Sequence, residues 1–340
     1  MDIGYVMAIR YHPNHAESLE GIYSDFIDEA IYAEQLGFDY VWTGEHHFKE
    51  DAWCPSPLHV LTAIAARTSL IKIGTFILVL PLHHPVNVAE DAAVVDLLSG
   101  GRFNLGVGVG GAGSDVESQT FGIPPEKMMT RMYEGLEIIK RCFTEDSFDY
   151  EGKAFHFHDV KMTTKPAQKP YPPIWVASFG PKSVARAAAE GYNSLAGSRP
   201  GFAPDYYKMA RAAGHNPEAI QVSTGPIWIH LANTWEQAWD EAEEGMHWTF
   251  EFYRRAMGNP MIPPTPPIGK LRHNTSLPGP FAHSMIVGTP NDALEVLERY
   301  RGSGVTQIAL DFHHPGQPTE QVRRSMELFT ENVMPALRTF

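Results

Sequence analysis

Residues 72–107 read KIGTFILVLPLHHPVNVAEDAAVVDLLSGGRFNLGV. Positions 72–78 form a short apolar run, the pattern of a strand whose two faces are both covered. Pro85 then opens a helical stretch over 85–98, which Ser99-Gly100-Gly101 stops, in keeping with proline at the first turn of a helix and glycine just past its end. Positions 103–107 begin a second apolar run. Strand, helix and strand in such close succession make a βαβ unit, which requires a parallel sheet covered by helices.

The alternation extends in both directions. Upstream, 3–9 reads as a strand, 24–36 as a helix stopped by Gly37, 40–43 as a strand and 57–68 as a helix. Downstream come a helix over 127–143, strands at 174–177, 193–196, 220–230 and 307–311, and helices at 182–190, 234–256, 292–300 and 320–329. Two stretches break the rhythm. Residues 146–173 contain an alternating segment with a turn at 150–157, which predicts a hairpin outside the sheet. Residues 259–283 carry prolines at 260, 263, 264, 266, 267, 278 and 280, too many for regular structure, which predicts a long loop and a lid. No interior linker divides the chain, so residues 1–340 are expected to form one (β/α)8 barrel with these two insertions.

Composition narrows the class. Lys and Arg total 27 against 40 Asp and Glu, a formal charge of −13, which disfavours nucleic acid and anionic membrane surfaces as partners. Cys54 and Cys142 form no metal-binding or redox motif. The most apolar stretch, 71–82, is far short of the roughly 20 residues that span a bilayer. The first residues lack the features of a signal peptide, so a cytoplasmic location is expected.

A barrel of this class places its site at the carboxyl ends of the strands. Three of those positions hold a His-His pair: Glu45-His46-His47-Phe48, Leu82-His83-His84-Pro85 and Phe312-His313-His314-Pro315. Imidazole titrates near neutrality, so such pairs suit acid/base work or metal binding. Adjacent residues of an extended chain face opposite ways, which leaves one inward imidazole per pair, and neither His-x-His nor H-E-x-x-H occurs. No metal is therefore expected. The plain reading of His83 and His314 is hydrogen bonding to nearby backbone. Gly106-Val107-Gly108-Val109-Gly110-Gly111 satisfies G-x-G-x-x-G, but residues 112–125 separate it from helix 127–143, so it reads as a loop that lets a flat ligand approach rather than as a dinucleotide fingerprint. Ser178-Phe179-Gly180-Pro181-Lys182-Ser183, at a helix start, is a candidate phosphate loop; Val287-Gly288-Thr289-Pro290 competes with it.

Taken together, 38–48 (FDYVWTGEHHF), 73–86 (IGTFILVLPLHHPV), 98–103 (LSGGRF) and the closing Val333-Met334-Pro335-Ala336-Leu337 resemble the bacterial-luciferase-like flavin monooxygenase family, in its order and at its distances. The resemblance implies a (β/α)8 fold, dimerisation through the second and third helices, and an FMN site at the carboxyl end of the barrel. It implies that Glu45 and His46 lie beside the flavin, His46 being the catalytic histidine, and that Phe76 and Ile77, preceded by Thr75, are the pair joined by a cis peptide under the ring. Gly108 belongs to the loop at the flavin, and Ser178, Phe179, Gly180, Lys182 and Ser183 match the phosphate loop. The family's luciferase places an arginine where this chain has Val109 and an acidic residue where it has Ser178; Lys182 is the replacement cation.

The activity so implied is a monooxygenase that takes reduced FMN as co-substrate from a separate NAD(P)H-dependent flavin reductase. The flavin reacts with O2 to a hydroperoxide, which oxygenates a small organic substrate. Two alternatives stand beside it, a deazaflavin-dependent hydride-transfer oxidoreductase on the same barrel and a flavin-binding barrel without turnover.

Overall fold

β1 (Asp2–Met7) is buried from Ile3 onward and runs parallel to both its neighbours, β2 (Tyr40–Thr43) and β12 (Gln307–Asp311). The computed structural model describes residues 1–12, 18–111, 114–257, 264–273 and 285–340. From β2 the parallel ladder continues through β3 (Lys72–Thr75), β5 (Phe103–Gly108) and β8 (Ile174–Val176) to β9 (Asn193–Ser194). After a cis peptide at Phe76–Ile77, β4 (Leu78–Val79) rejoins β5. Beyond β12 lie β10 (Ile227–Leu231) and, on its outer edge, β11 (Met285–Gly288).

Residues 221–224 close the ring. Ser194 N–H donates to the Gln221 carbonyl (2.9 Å), Ser223 N–H to the Ser194 carbonyl (2.8 Å) and Thr224 N–H to the Gln307 carbonyl (3.0 Å). The seventh strand thus comes in two pieces, 221–224 and β10, and the eight-stranded parallel barrel expected from the alternation is formed.

Aromatic rings fill the barrel. Tyr40 and Trp42 stack at 5.2 Å, Trp175 meets Trp42 edge-on, and the two indoles donate to Gln307 and Asn104. Rings of this size leave no room on the neighbouring strands: a Cβ on Gly74 would lie 2.3 Å from the Trp42 ring, and one on Gly106 would lie 1.9 Å from the Thr75 carbonyl oxygen. Glycine is therefore required at both places by close approach.

The barrel is wrapped by α1 (Leu19–Gln35), α2 (Pro57–Ala65), α3 (Pro85–Ser99), α5 (Met128–Thr144), α6 (Pro181–Ala189), α7 (Phe202–Ala212), α8 (Trp235–Met257) and α10 (Thr319–Asn332), with α9 (Pro290–Leu297) after β11 and α11 (Met334–Leu337) at the end. β6 (Phe148–Glu151) and β7 (His156–Val160) pair antiparallel in a separate two-stranded sheet.

Several elements differ from the sequence reading. α1 starts at Leu19 rather than 24, because the Ser18 hydroxyl caps it by accepting the Gly21 amide at 3.0 Å. α7, β11 and the short α4 (Ser114–Thr120) have no counterpart in that reading. α4 begins inside the stretch taken to separate the glycine-rich loop from the next helix. Of the expected lid 259–283, only 264–273 is described. There Glu243 of α8 accepts the Gly269 and Leu271 amides and pairs with Arg272. The rest of the lid lies outside the described residues.

Candidate active site

The ends of β1, β2, β3, β5, β8, β10 and β12 surround a cavity of about 960 Å³, counted with the solvent at its open mouth. Phe76, Ile77, Val79, Ala177 and Phe179 give it an aliphatic and aromatic wall, and Trp53, Trp228 and Tyr253 add further rings to the lining. Polar groups are few: Arg10, Glu45, His46 and Asp311.

Of the site residues expected from sequence, Glu45, His46, Phe76, Ile77 and Phe179 line this cavity. Thr75 and Gly108 support the wall from behind. The Thr75 hydroxyl donates to the Gly106 carbonyl at 2.6 Å, and a Cβ on Gly108 would lie 2.5 Å from Ile77 Cδ1. Gly111 also lines the cavity, and among the described residues an added Cβ there meets no atom within 4 Å.

Ser178, Gly180, Lys182 and Ser183 sit outside the cavity wall, at the start of α6. The cap, Gly180, supplies no side chain to the first turn, and the first intrahelical bond is from the Val184 amide to the Gly180 carbonyl. The preceding amides of Lys182 and Ser183 are thus left for another acceptor. The competing segment 287–290 is closed to ligands by its own capping box, in which Asp292 accepts the Thr289 amide and Thr289 the Asp292 amide.

The histidine pairs divide as alternation requires, but their partners differ from the sequence reading. His46 lines the cavity, its ring packed 4.4 Å from that of Trp53. His47 turns away and bonds Glu45 through Nε2 at 2.6 Å; His83 Nε2 reaches the same oxygen at 2.7 Å. The Val79 amide donates to the other carboxylate oxygen at 2.7 Å. Burial alone would raise the Glu45 pKa, yet the His47 and His83 hydrogen bonds and the Val79 amide pull it down to about 2. An ionised carboxylate only accepts, so both imidazoles donate from Nε2. Glu45, His47 and His83 are spaced closely enough to share a metal ion, but proton-bearing Nε2 atoms satisfy Glu45 without one. Glu45 thereby ties the loop after β2 to the strand carrying Ile77. His314 bonds the Ile229 carbonyl through Nε2, the backbone contact read for it, whereas His83 is claimed by Glu45.

Three polar residues of the site went unrecognised in the sequence. Glu117 of α4 is fully buried and accepts at one oxygen from His46 Nδ1 (3.2 Å) and the His47 amide (3.0 Å), with Lys49 Nζ also at 3.2 Å. Burial opposes its ionisation, but the His46 and His47 hydrogen bonds and the charge of Lys49 hold its pKa below the ordinary value. Arg10 is buried between the rings of Trp53 and Phe252 and paired with Asp51 at 2.7 Å. Asp311, the last residue of β12, is pushed up to about 7 by burial, against the pull of His313 and Arg10. Only Asp311 carried a signal, its place at a strand end.

This arrangement offers a flat apolar slot with one polar edge and one imidazole, and an uncapped helix start nearby. The family model for luciferase-like monooxygenases matches residues 1–307. Two uncharacterised proteins of Sinorhizobium fredii are 34% identical over 171 and 183 residues, and the chain spans about half the length of each. The oxygenase component of a flavin-dependent trigonelline monooxygenase from Acinetobacter baylyi is 25% identical over 329 residues, 93% of this chain and 90% of that one. An F420-dependent glucose-6-phosphate dehydrogenase from Amycolatopsis mediterranei is also 25% identical, over 321 residues, covering 92% and 94%. Among solved structures, the monooxygenase RslO1 of Streptomyces bottropensis superposes with a TM-score of 0.87 at 25% identity, covering 99% of this chain and all of that one. The oxygenating constituent of 3,6-diketocamphane monooxygenase from Pseudomonas putida shares the fold, with a TM-score of 0.80 at 21% identity and 98% of each chain covered.

Proposed function

Because the chain belongs to the luciferase-like monooxygenase family, we propose that it is the oxygenase of a two-component flavin-dependent monooxygenase. On this reading it uses O2 and reduced FMN from a separate NAD(P)H-dependent flavin reductase to oxygenate a small organic substrate. The relatives of this family are oxidoreductases of two kinds, flavin-dependent monooxygenases and F420-dependent enzymes. The observation on which the choice of a flavin oxygenase rests is His46, the imidazole among the described residues of a mainly apolar lining that also carries Arg10, Glu45 and Asp311. Likeness to the S. bottropensis monooxygenase over essentially the whole chain supports the same side.

The residues present fit a flavin. Gly111 leaves backbone open to a ring among the described residues, Phe179 lines the cavity and is 81% exposed, and Arg10 and Asp311 add polar groups. Phe76, Ile77, Ala177 and Phe179 would face the ring, while Lys182 and the amides of Lys182 and Ser183 would hold the phosphate. When bound, reduced flavin supplies the electrons that activate oxygen. The chain's own share is to exclude water with Trp53, Trp228 and Tyr253 and to move a proton at His46.

A homodimer belongs to the same reading. Val94, Leu97 and Leu98 of α3 are all about half exposed, and an apolar patch of this kind suits a self-complementary twofold contact.

The test is equilibrium binding of FMN, FAD and F420, followed by oxygen uptake from reduced FMN with a panel of aldehydes, ketones and aromatics. Preference for FMN, and a panel member oxygenated as hydrogen peroxide release falls, is the expected result. Oxygen-independent hydride transfer from reduced F420 would overturn it.

A further inference from the structure

We propose that Glu117 is a positioning residue for His46: it fixes the proton of the neutral imidazole on Nδ1, so that Nε2 offers its lone pair and His46 enters the reaction as a base. The inference rests on the reading of His46 as the proton-transfer residue of the cavity, and adds to it the direction of the first transfer.

The hydrogen bond between His46 Nδ1 and Glu117 Oε1 admits one polarity. Glu117 has its side chain 1% exposed and its Oε1 faces three nitrogens: His46 Nδ1, the His47 amide and Lys49 Nζ. A carboxylate so surrounded is an acceptor, and Nδ1 must donate to it.

The remaining ring nitrogen is then the free one. Among the described residues Nε2 of His46 has no hydrogen-bond partner, while the ring lines the cavity and packs on Trp53. A neutral ring held this way accepts a proton at Nε2 from a bound molecule's O–H or N–H. The resulting imidazolium keeps its Nδ1–H on Glu117, whose charge stabilises it until Nε2 returns the proton to the ligand or to water. Glu117 stands on α4, in the loop after β5 that also carries Gly110 and Gly111. The same loop therefore sets the histidine and borders the slot.

The experiment is long-range ¹H–¹⁵N correlation of the histidine rings in the ¹⁵N-labelled full chain at pH 8, above the ordinary histidine range. The His46 signals are assigned by their loss in His46→Ala. Wild type is expected to show a protonated Nδ1 and a bare Nε2. Glu117→Gln, which keeps the shape and removes the charge, is expected to show a substantial population with the proton on Nε2 while binding FMN within about threefold of wild type. A wild-type proton on Nε2, or a Glu117→Gln spectrum identical to wild type, would overturn the proposal. Because wild type alone supplies the first of these readouts, a misfolded variant cannot shield it. The spectrum bears on Glu117 only; the reading of His46 as the proton-transfer group fails separately, if His46→Ala forms oxygenated product as well as wild type.

Discussion

Two histidines of this chain present Nδ1 to a buried glutamate carried by a helix, and they end in opposite situations. His46 meets Glu117 of α4 at 3.2 Å and lines the cavity; His313 meets Glu29 of α1 at 2.9 Å, is buried and lies outside the cavity lining. Glu29 is shared with the Tyr5 hydroxyl at 2.6 Å, and Phe26 stacks on the His313 ring at 4.4 Å. The difference lies in the helices. α1 has 17 residues and lays Ile22, Phe26, Ala30 and Ala33 on the barrel, so its glutamate goes down with an apolar face. α4 has seven residues, SDVESQT, and only caps a loop. The same dipeptide after a strand thus becomes core under a long amphipathic helix and a site under a short polar one.

The comparison is broken most easily by removing the anions. Glu29→Ala strands Tyr5 and His313 in the interior and is expected to cost about 3–5 kcal/mol in urea unfolding, whereas Glu117→Ala, equally buried but on a seven-residue helix with the partly exposed partners His46 and Lys49, is expected to cost less, about 2–3 kcal/mol. Equal losses would show that the mouth pair is as structural as the sealed one. On the side of chemistry, His46→Ala is expected to keep FMN affinity within a few-fold, and to lower oxygenated product per reduced FMN by about 10²–10⁴-fold in favour of hydrogen peroxide. His313→Ala, assayed where it remains folded, should leave that ratio alone.

Asp311, between the two regions, sharpens the comparison through pH. Its folded pKa of about 7 lies above the ordinary carboxyl value of 3.8, because burial disfavours the anion. Between those values the folded state holds a proton that the unfolded state has lost, so stability falls as pH rises from about 4 to 7. Asp311→Asn should remove that slope and gain a few kcal/mol on wild type by pH 8 in paired unfolding curves. A parallel pair of curves would contradict the assignment. The smallest effect is expected at His47→Ala, about 1–2 kcal/mol for one hydrogen bond to Glu45, with product ratio unchanged. A loss of product there like that of His46→Ala would remove the distinction between the two members of the pair.

Much of the barrel was legible because its signals are local. Proline at helix starts, glycine after helix ends and apolar runs between them mark strands 103–108 and 307–311 almost to the residue, whereas the run read as one strand over 72–78 splits at the Phe76–Ile77 cis peptide into β3 and β4. The seventh strand was harder, since it breaks between 224 and 227 and its outer partner β11 is only four residues long. At the site, period-2 alternation left one inward imidazole per pair, and the family resemblance pointed to His46. Alternation could not find Glu117, 71 positions from His46 on a helix with no apolar stripe, nor Arg10, whose burial depends on Trp53 and Asp51 from the loop after β2 and on Phe252 from α8. Thr75 and Gly108 sit one layer behind the wall because the Trp42 and Ile77 side chains occupy the space in front of the strands, a packing outcome that spacing does not encode.

The most direct test of the account is an FMN titration of wild type beside Gly111→Trp. Among the described residues, no atom lies within 4 Å of a Cβ at Gly111, and its backbone is not left-handed. The indole should therefore project into the slot with little effect on unfolding. The account predicts that wild type binds FMN and that Gly111→Trp, equally stable, loses affinity by about 100-fold or more. Equal FMN affinity in the two proteins would place the flavin elsewhere and contradict the assignment of this cavity.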